Sequence, residues 1–331
     1  MKNVIKTAAI LLCASLALSS CRKVHHTPEE ETQFIPLEFT AVSQNMVKAG
    51  TESFPYDDFG VWGIARRPGL VNPYILWSSN SMLSVVKDNN DMYIPSSAAY
   101  WAVGYTYDFI AVAPWSEAQN TTSVVLGDGP GTDNLTFTCD IADEIEGGNY
   151  KFDLLGATIE REVTSRPSAP QELIFWHLFT KLVINVSFTD CEGGNVTKLV
   201  LKNVDSQASY TLSFADDEPI GVACTSNGDE ATQKTLTTTS MPAEFYLIPQ
   251  NISDLEMYLD YTITIRKEDK EVYDISATGM MVDLTSISNT TYGYNEWYNW
   301  NLTITPKFIS IGEPTVTPWT DGATIPDIGI K

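Results

Sequence analysis

The chain has 331 residues, long for one hydrophobic core, and its 43% hydrophobic content is that of a globular protein rather than a disordered one. Twenty basic residues face 42 acidic ones, a formal charge of -22, which repels phosphate backbones and excludes nucleic acid as a partner. The same balance disfavours simple adsorption to anionic lipid.

In chain order, the first segment is "MKNVIKTAAILLCASLALSSC". Lys2 and Lys6 precede an apolar run from Thr7 to Leu18 that is too short to span a bilayer. Small residues then lead into Cys21. This arrangement resembles the lipobox of bacterial lipoproteins, which implies a signal peptide over 1–20 and lipid on Cys21. The stretch 21–33 has no apolar period and reads as a tether. His25 and His26 in it make a weak ligand set, and no metal is expected there. Cys139, Cys191 and Cys224 follow at wide spacing without a C-x-x-C pattern, so neither zinc nor a redox pair is predicted. One disulfide among the three is left open, since export permits it.

Beyond the tether, period-two patterns recur. "FIPLEFTAV" (34–42) alternates Ile35, Leu37, Phe39 and Ala41 against Pro36, Glu38 and Thr40. "FGVWGIA" (59–65) is apolar on both sides, as in a strand covered on both faces. In "YWAVGYTYDFIAVAPW" (100–115) five of six aromatics share one side, among them Trp101, Tyr105, Tyr107 and Phe109. That stripe is predicted to be the wall of a core. The long run 172–188 ends in a clean alternation of Leu182, Ile184, Val186 and Phe188. "YTITIRKEDKEVYDIS" (261–276) is a hairpin signature, and "YNWNLTITP" (298–306) sets Tyr298, Trp300, Leu302 and Ile304 on one side. No amphipathic helix of ten residues stands out. The class is all-β, with sandwich domains expected over 34–190 and 191–331.

Chemistry is harder to find. His177, alone in the folded part, sits in "FWHLF" and reads as a satisfied core residue. The glycine-rich "GDGPGTD" (127–133) leads into another strand, so it reads as a hairpin loop, not a phosphate cradle. The acidic pairs lie in turn-like segments and match no calcium loop. No nucleophile elbow or zinc-peptidase motif is present. The chain therefore reads as non-enzymatic and without a cofactor.

These segments in their joint order resemble the fimbrillin family, the subunits of type V pili in the Bacteroides group. The resemblance rests on the lipobox, "PLEFTAV" followed by "VKAGT", then "FGVWGIA", "YWAVGYTYDFIAVAPW", "DLLGAT", "LIFWHLFTKLVINV", "YLIPQ" and the ending "WNLTITPKFISIGEPTVTPWTDG". It implies two tandem transthyretin-like β-sandwich domains and an outer-membrane lipoprotein displayed at the cell surface in a fimbria. It also implies a trypsin-like cut that releases the first strand, whose place a neighbouring pilin subunit's strand fills. Carried onto this chain, the displaced strand holds Ile35, Leu37, Phe39 and Ala41. The cut falls at Lys48 and Ala49, with lysine where the family has arginine. The short tail offers Ile325, Ile328 and Ile330 as the donor, or marks a tip or accessory subunit. Partners are other pilin subunits, the outer membrane through the lipid, and a host protein or glycan. An alternative reading is an outer-membrane lipoprotein that binds glycans through its β-sandwich modules, because "TYGYNEWYNW" (291–300) is rich in rings that stack on sugars.

Overall fold

The structure is a computed structural model that describes residues 35–45, 50–77, 82–115, 119–141, 145–146, 149–150, 153–215, 220–228, 230, 232–267, 271–288, 290–312 and 315–318. All but Ile35 of these lie in one compact unit that begins at Pro36. Every regular element in them is a strand.

The N-terminal region holds ten principal strands: β1 (Phe39–Asn45), β2 (Gly50–Ser53), β3 (Asp58–Arg66), β4 (Leu83–Lys87), β5 (Tyr93–Pro95), β6 (Tyr105–Ala113), β7 (Gln119–Val125), β8 (Asn134–Asp140), β9 (Leu155–Val163) and β10 (Gln171–His177). Seven of them form a closed circuit. The order is β10, β9, β6, β3, β4, β5, β1, and β1 returns to β10 in parallel. Strand β2 is a short antiparallel flap on β1.

Alternation along β3 and β6 assigns their two faces. Phe59, Val61, Tyr107, Phe109 and Ala111 point into the ring, where Val61 pairs with Ala111. Trp62, Ile64, Ile110 and Val112 point outward and are buried as well. The expectation from "FGVWGIA", apolar on both sides, is met because both faces are covered. Phe109 opposes Gly63, whose missing Cβ makes room for the ring: a methyl there would lie 2.9 Å from it.

The outer face is covered by a sheet that draws on both halves of the chain. The next four strands are β11 (Thr180–Phe188), β12 (Gly193–Val204), β13 (Gln207–Ser213) and β14 (Gly221–Ser226). The β13–β14 hairpin pairs back onto β8, giving the order β7, β8, β13, β14. Leu135 and Phe137 from β8 thus share one buried layer with Tyr210 and Leu212 from β13, and the Phe137 and Tyr210 rings stack at 5.4 Å.

The rest of the chain builds two facing sheets. Its strands are β15 (Lys234–Thr238), β16 (Ala243–Leu247), β17 (Glu256–Arg266), β18 (Val272–Val282), β19 (Glu296–Ile304), β20 (Ile309–Ile311) and β21 (Thr315–Pro318). One sheet runs β16, β11, β19, with β20 and β21 placed end to end along the free side of β19. The other runs β15, β12, β17, β18. Leu182, Ile184, Trp300 and Leu302 of the first face Leu199, Leu201, Met257 and Leu259 of the second in one core. The hairpin predicted over 261–276 is β17–β18, with Arg266 paired to Val272.

Candidate functional site

The predicted displaced strand is the element that closes the ring. Its inward residues are Leu37, 2% exposed, and Phe39, fully buried. The Phe39 ring meets Phe109 at 5.3 Å and Phe59 at 6.0 Å, both edge-on, a favoured geometry for aromatic pairs. Behind them Phe59 lies 5.3 Å from Phe175 and 5.2 Å from Tyr93. Ile35 and Ala41 are half-buried. The expected strand over 34–42 is observed with a break: Leu37 lies just before β1, and its amide donates to the Ala99 carbonyl at 2.8 Å. From there β1 runs on to Asn45.

The two flanks of β1 are unequal. Against β10 it is in register over five residues, Phe39–Ser43 beside Gln171–Phe175. Against β5 the contact is the single pair Phe39 and Tyr93. Removal of β1 would leave unpaired backbone along β10 and an aromatic trough between β5 and β10. Unpaired edges and exposed apolar surface are the two features that an added strand repairs.

A charged cluster holds the outer side of the same ring. Arg66, at the end of β3, pairs with Asp108 of β6 and donates to Asp133 at 2.6 and 2.8 Å. Both carboxylates are fully buried. The glycine-rich loop supplies the remaining donors: the Gly127 amide to Asp133 at 2.9 Å and the Gly131 amide to Asp108 at 3.0 Å. Those amides serve internal carboxylates, which is why the loop needs no phosphate. Burial pushes the Asp108 carboxyl up to about 7, and the neighbouring Asp133 charge adds to this while Arg66 opposes it.

The profile of the fimbrillin-like family matches residues 55–319. The chain belongs to the fimbrillin-like family. Among solved structures, a fimbrial protein from Bacteroides vulgatus is 15% identical with a TM-score of 0.53, covering 86% of this chain and 99% of its own. A candidate cell adhesion protein from Bacteroides uniformis is 17% identical with a TM-score of 0.47, covering 87% and 98%. The tip fimbrial protein Mfa3 from Porphyromonas gingivalis is 9% identical with a TM-score of 0.36, covering 86% and 100%. No curated protein sequence matches.

In this fimbrillin-like chain the aromatic stripe 101–109 forms an inner wall. Trp101, Tyr107 and Phe109 are buried, and Tyr107 and Phe109 stack at 6.1 Å. Tyr105 is half-buried at the rim, where Arg67 lies 5.9 Å from its ring centre. The second aromatic cluster is largely internal too. Trp300 is fully buried and donates from Nε1 to the Tyr292 hydroxyl at 2.5 Å, while Tyr292 and Tyr298 stack. Trp297 is half-buried with the Lys181 ammonium 5.1 Å from its ring. A cleft of about 1020 Å³ beside β12, β17 and β18 is lined by Lys202, Asp254, Glu256 and Met281 among others, with no aromatic ring. A second cleft, of about 540 Å³, includes Tyr292 and Tyr294 in its lining.

His177 is a satisfied residue: its Nδ1 pairs with Asp153, whose backbone in turn bonds the Tyr56 hydroxyl. The three cysteines of the described residues are free thiols. Cys139 and Cys224 lie on β8 and β14 with β13 between them, about 10 Å apart, farther than a disulfide reaches. Burial raises the Cys139 thiol and pushes Cys224 up to about 11. Asp88 accepts from the Asn90 and Met92 amides, as expected of a turn residue. Among the described residues no group of three or more His, Cys, Asp or Glu is placed to hold a metal ion.

Cys21, Lys48, Ala49, Ile325, Ile328 and Ile330 lie outside the described residues. Two basic residues near the first strands are poor sites for a trypsin-like cut. Arg66 is locked between two carboxylates, and Arg67 is followed by Pro68, which trypsin-like proteases disfavour after the scissile bond.

Proposed function

We propose that this chain is a cell-surface fimbrial subunit, exported as a lipoprotein through Cys21 and assembled by strand exchange after cleavage at Lys48. It is read as two tandem transthyretin-like sandwiches, 34–190 and 191–331, with β11 of the first stretch built into the second sandwich and the β13–β14 hairpin of the second laid beside β8 of the first. Its role is structural or adhesive, with other pilin subunits as partners. The carrying observation is the seat of β1, a strand that covers Phe59, Phe109 and Phe175 yet meets β5 through one residue pair. A cut at Lys48 frees β1 from the rest of the chain at its C-terminal end and leaves it held by non-covalent contacts alone. A strand from a neighbour, with Ile325, Ile328 and Ile330 as candidate plugs, then competes for the trough.

The test is limited digestion of the chain beginning after Cys21 with a lysine-cutting protease, followed by mass spectrometry and electron microscopy. One early cut at Lys48, followed by loss of the 22–48 peptide and growth of filaments, is expected. A chain that is cut at Lys48 yet keeps the peptide and stays monomeric would refute strand exchange. A Lys48→Gln chain should resist both cutting and polymerisation.

A further inference from the structure

Strand β14 is the outermost strand of the sheet that covers the ring, and among the described residues it pairs with β13 alone. The pairing is unbroken along the six residues Gly221–Ser226. Val222, Cys224 and Ser226 lie opposite the buried Leu212, Tyr210 and Ala208, so they face the core, since directly opposed residues share a face. Ala223 and Thr225 are exposed on the other face. Native sheet edges are commonly guarded by charged side chains, proline or a bulge. "GVACTS" has none of these, and every side chain in it is small. The edge at β18, by contrast, carries Asp274 and is broken by an extra residue opposite Asp260.

The cleft of about 540 Å³ lies beside this edge. One wall is made by residues 222–226, consecutive along β14. The other is made by segments 249–251 and 291–294. These are joined by an isolated bridge between Asn251 and Thr291, and the Tyr292 amide donates to the Gln250 carbonyl at 3.0 Å. No charged side chain lines the cleft, in a chain whose formal charge is -22. Gln250, on the second wall, is 3% exposed. Its Oε1 accepts the Asp205 amide at 2.9 Å, and its Nε2 has no partner among the described residues. An unpaired buried donor is costly, and an incoming carbonyl would satisfy it.

We propose that the cleft beside β14 takes an extended, uncharged segment of another polypeptide, which adds to β14 as a further strand of its sheet. Main-chain groups along the free side of β14 supply the pairing, and the small side chains let the incoming backbone approach. About five residues of extended chain, roughly 17 Å, match the stretch of β14 that lines the cleft. A charged side chain would be desolvated here without a partner, so the segment is uncharged between its ends. A glycan fits less well, because Tyr292 is 1% exposed and its ring stacks on Tyr298. The site is separate from the β1 trough, and it needs neither a cut nor the loss of β1.

The test uses the chain beginning at Arg22 with Lys48→Gln, which removes the candidate cut, so its outcome is independent of strand exchange at β1. The probe is the blocked peptide acetyl-Gln-Thr-Val-Thr-Val-Thr-Gln-amide, and its control has proline in place of the central threonine. Calorimetry should show saturable binding of the probe, at least about tenfold tighter than that of the control, because proline breaks a ladder. Adding the probe should slow hydrogen exchange in β14 and in no other edge strand. The double variant Ala223→Lys, Thr225→Lys, at two exposed positions, should weaken binding at least about tenfold. The exchange measurement decides on its own where that variant does not fold. No binding of the probe, equal binding of probe and control, or protection at β10 or β18 instead of β14 would each overturn the proposal. Binding of neutral maltoheptaose in place of the peptide would overturn it in favour of a glycan site.

Discussion

In the N-terminal ring, β1 seals seven strands into a circuit, and its inward ring, Phe39, has no exposed surface. In the C-terminal sheet, β18 ends the order with Ile275 and Met280 nearly half in water. Both strands carry apolar residues on the core side, so composition does not separate them. What separates them is the number of neighbours. β1 has β10 on one side and β2 with Tyr93 on the other, whereas β18 has β17 only. Ordering a strand with one ladder recovers less of its entropy cost than ordering one with two. The ring therefore depends on its closing strand for stability, and the sandwich is complete without a further one but leaves a place for it.

The largest expected effect is on the closed side. Phe39→Ala should cost about 3–5 kcal/mol, because it removes a fully buried ring from an aromatic cluster. Urea unfolding at neutral pH measures this, and a loss below about 1 kcal/mol would mean that the seal is not tight. Arg66→Ala should cost a similar 3–5 kcal/mol, since it strands two buried carboxylates on the ring's outer face. A Lys there should recover only part, because it lacks the planar fork that reaches both acids.

The open side gives a paired comparison. Ile263 and Ile275 are directly opposed, one 2% and the other 43% exposed. Ile263→Ala should cost about 2–5 kcal/mol and Ile275→Ala less than half as much.

Much of this architecture was legible in the residues. The alternation in 101–109 and 182–188 fixed strands and inner faces, and the two-sided "FGVWGIA" correctly announced a strand covered on both sides. Pairing was less legible. Nothing in "YTLSF" tells that β13 will leave its own half to lie beside β8, because Tyr210 and Leu212 would suit any buried face. The parallel seat of β1 on β10 joins segments some 130 residues apart, and local pattern does not encode such a partner. Nothing in "ARRPG" tells which partners Arg66 will have. Only the fold reveals the two acids, one mid-strand and one in a loop, that enclose it. The open edge at β18 was hidden for the opposite reason: an alternating strand looks the same whether or not a neighbour covers it.

The last expected effect is read against pH and tests how far the ring's outer cluster tunes stability. Asp108 is raised from its ordinary value to about 7 by burial. A raised carboxyl means that the folded state holds a proton which the unfolded chain has released. Its contribution is therefore present at low pH and falls away as pH rises from about 4 through 7. Arg66 remains charged throughout, so it does not mask this trend. Asp108→Asn keeps the shape, cannot titrate, and should flatten that part of the curve. The measurement is the urea midpoint of both chains at several pH values between 4 and 8. The difference between them should change steadily in the variant's favour as pH rises. A difference that is constant with pH would show that Arg66 keeps Asp108 ionised across the whole range, and the cluster would then be a fixed ion pair on the closed ring.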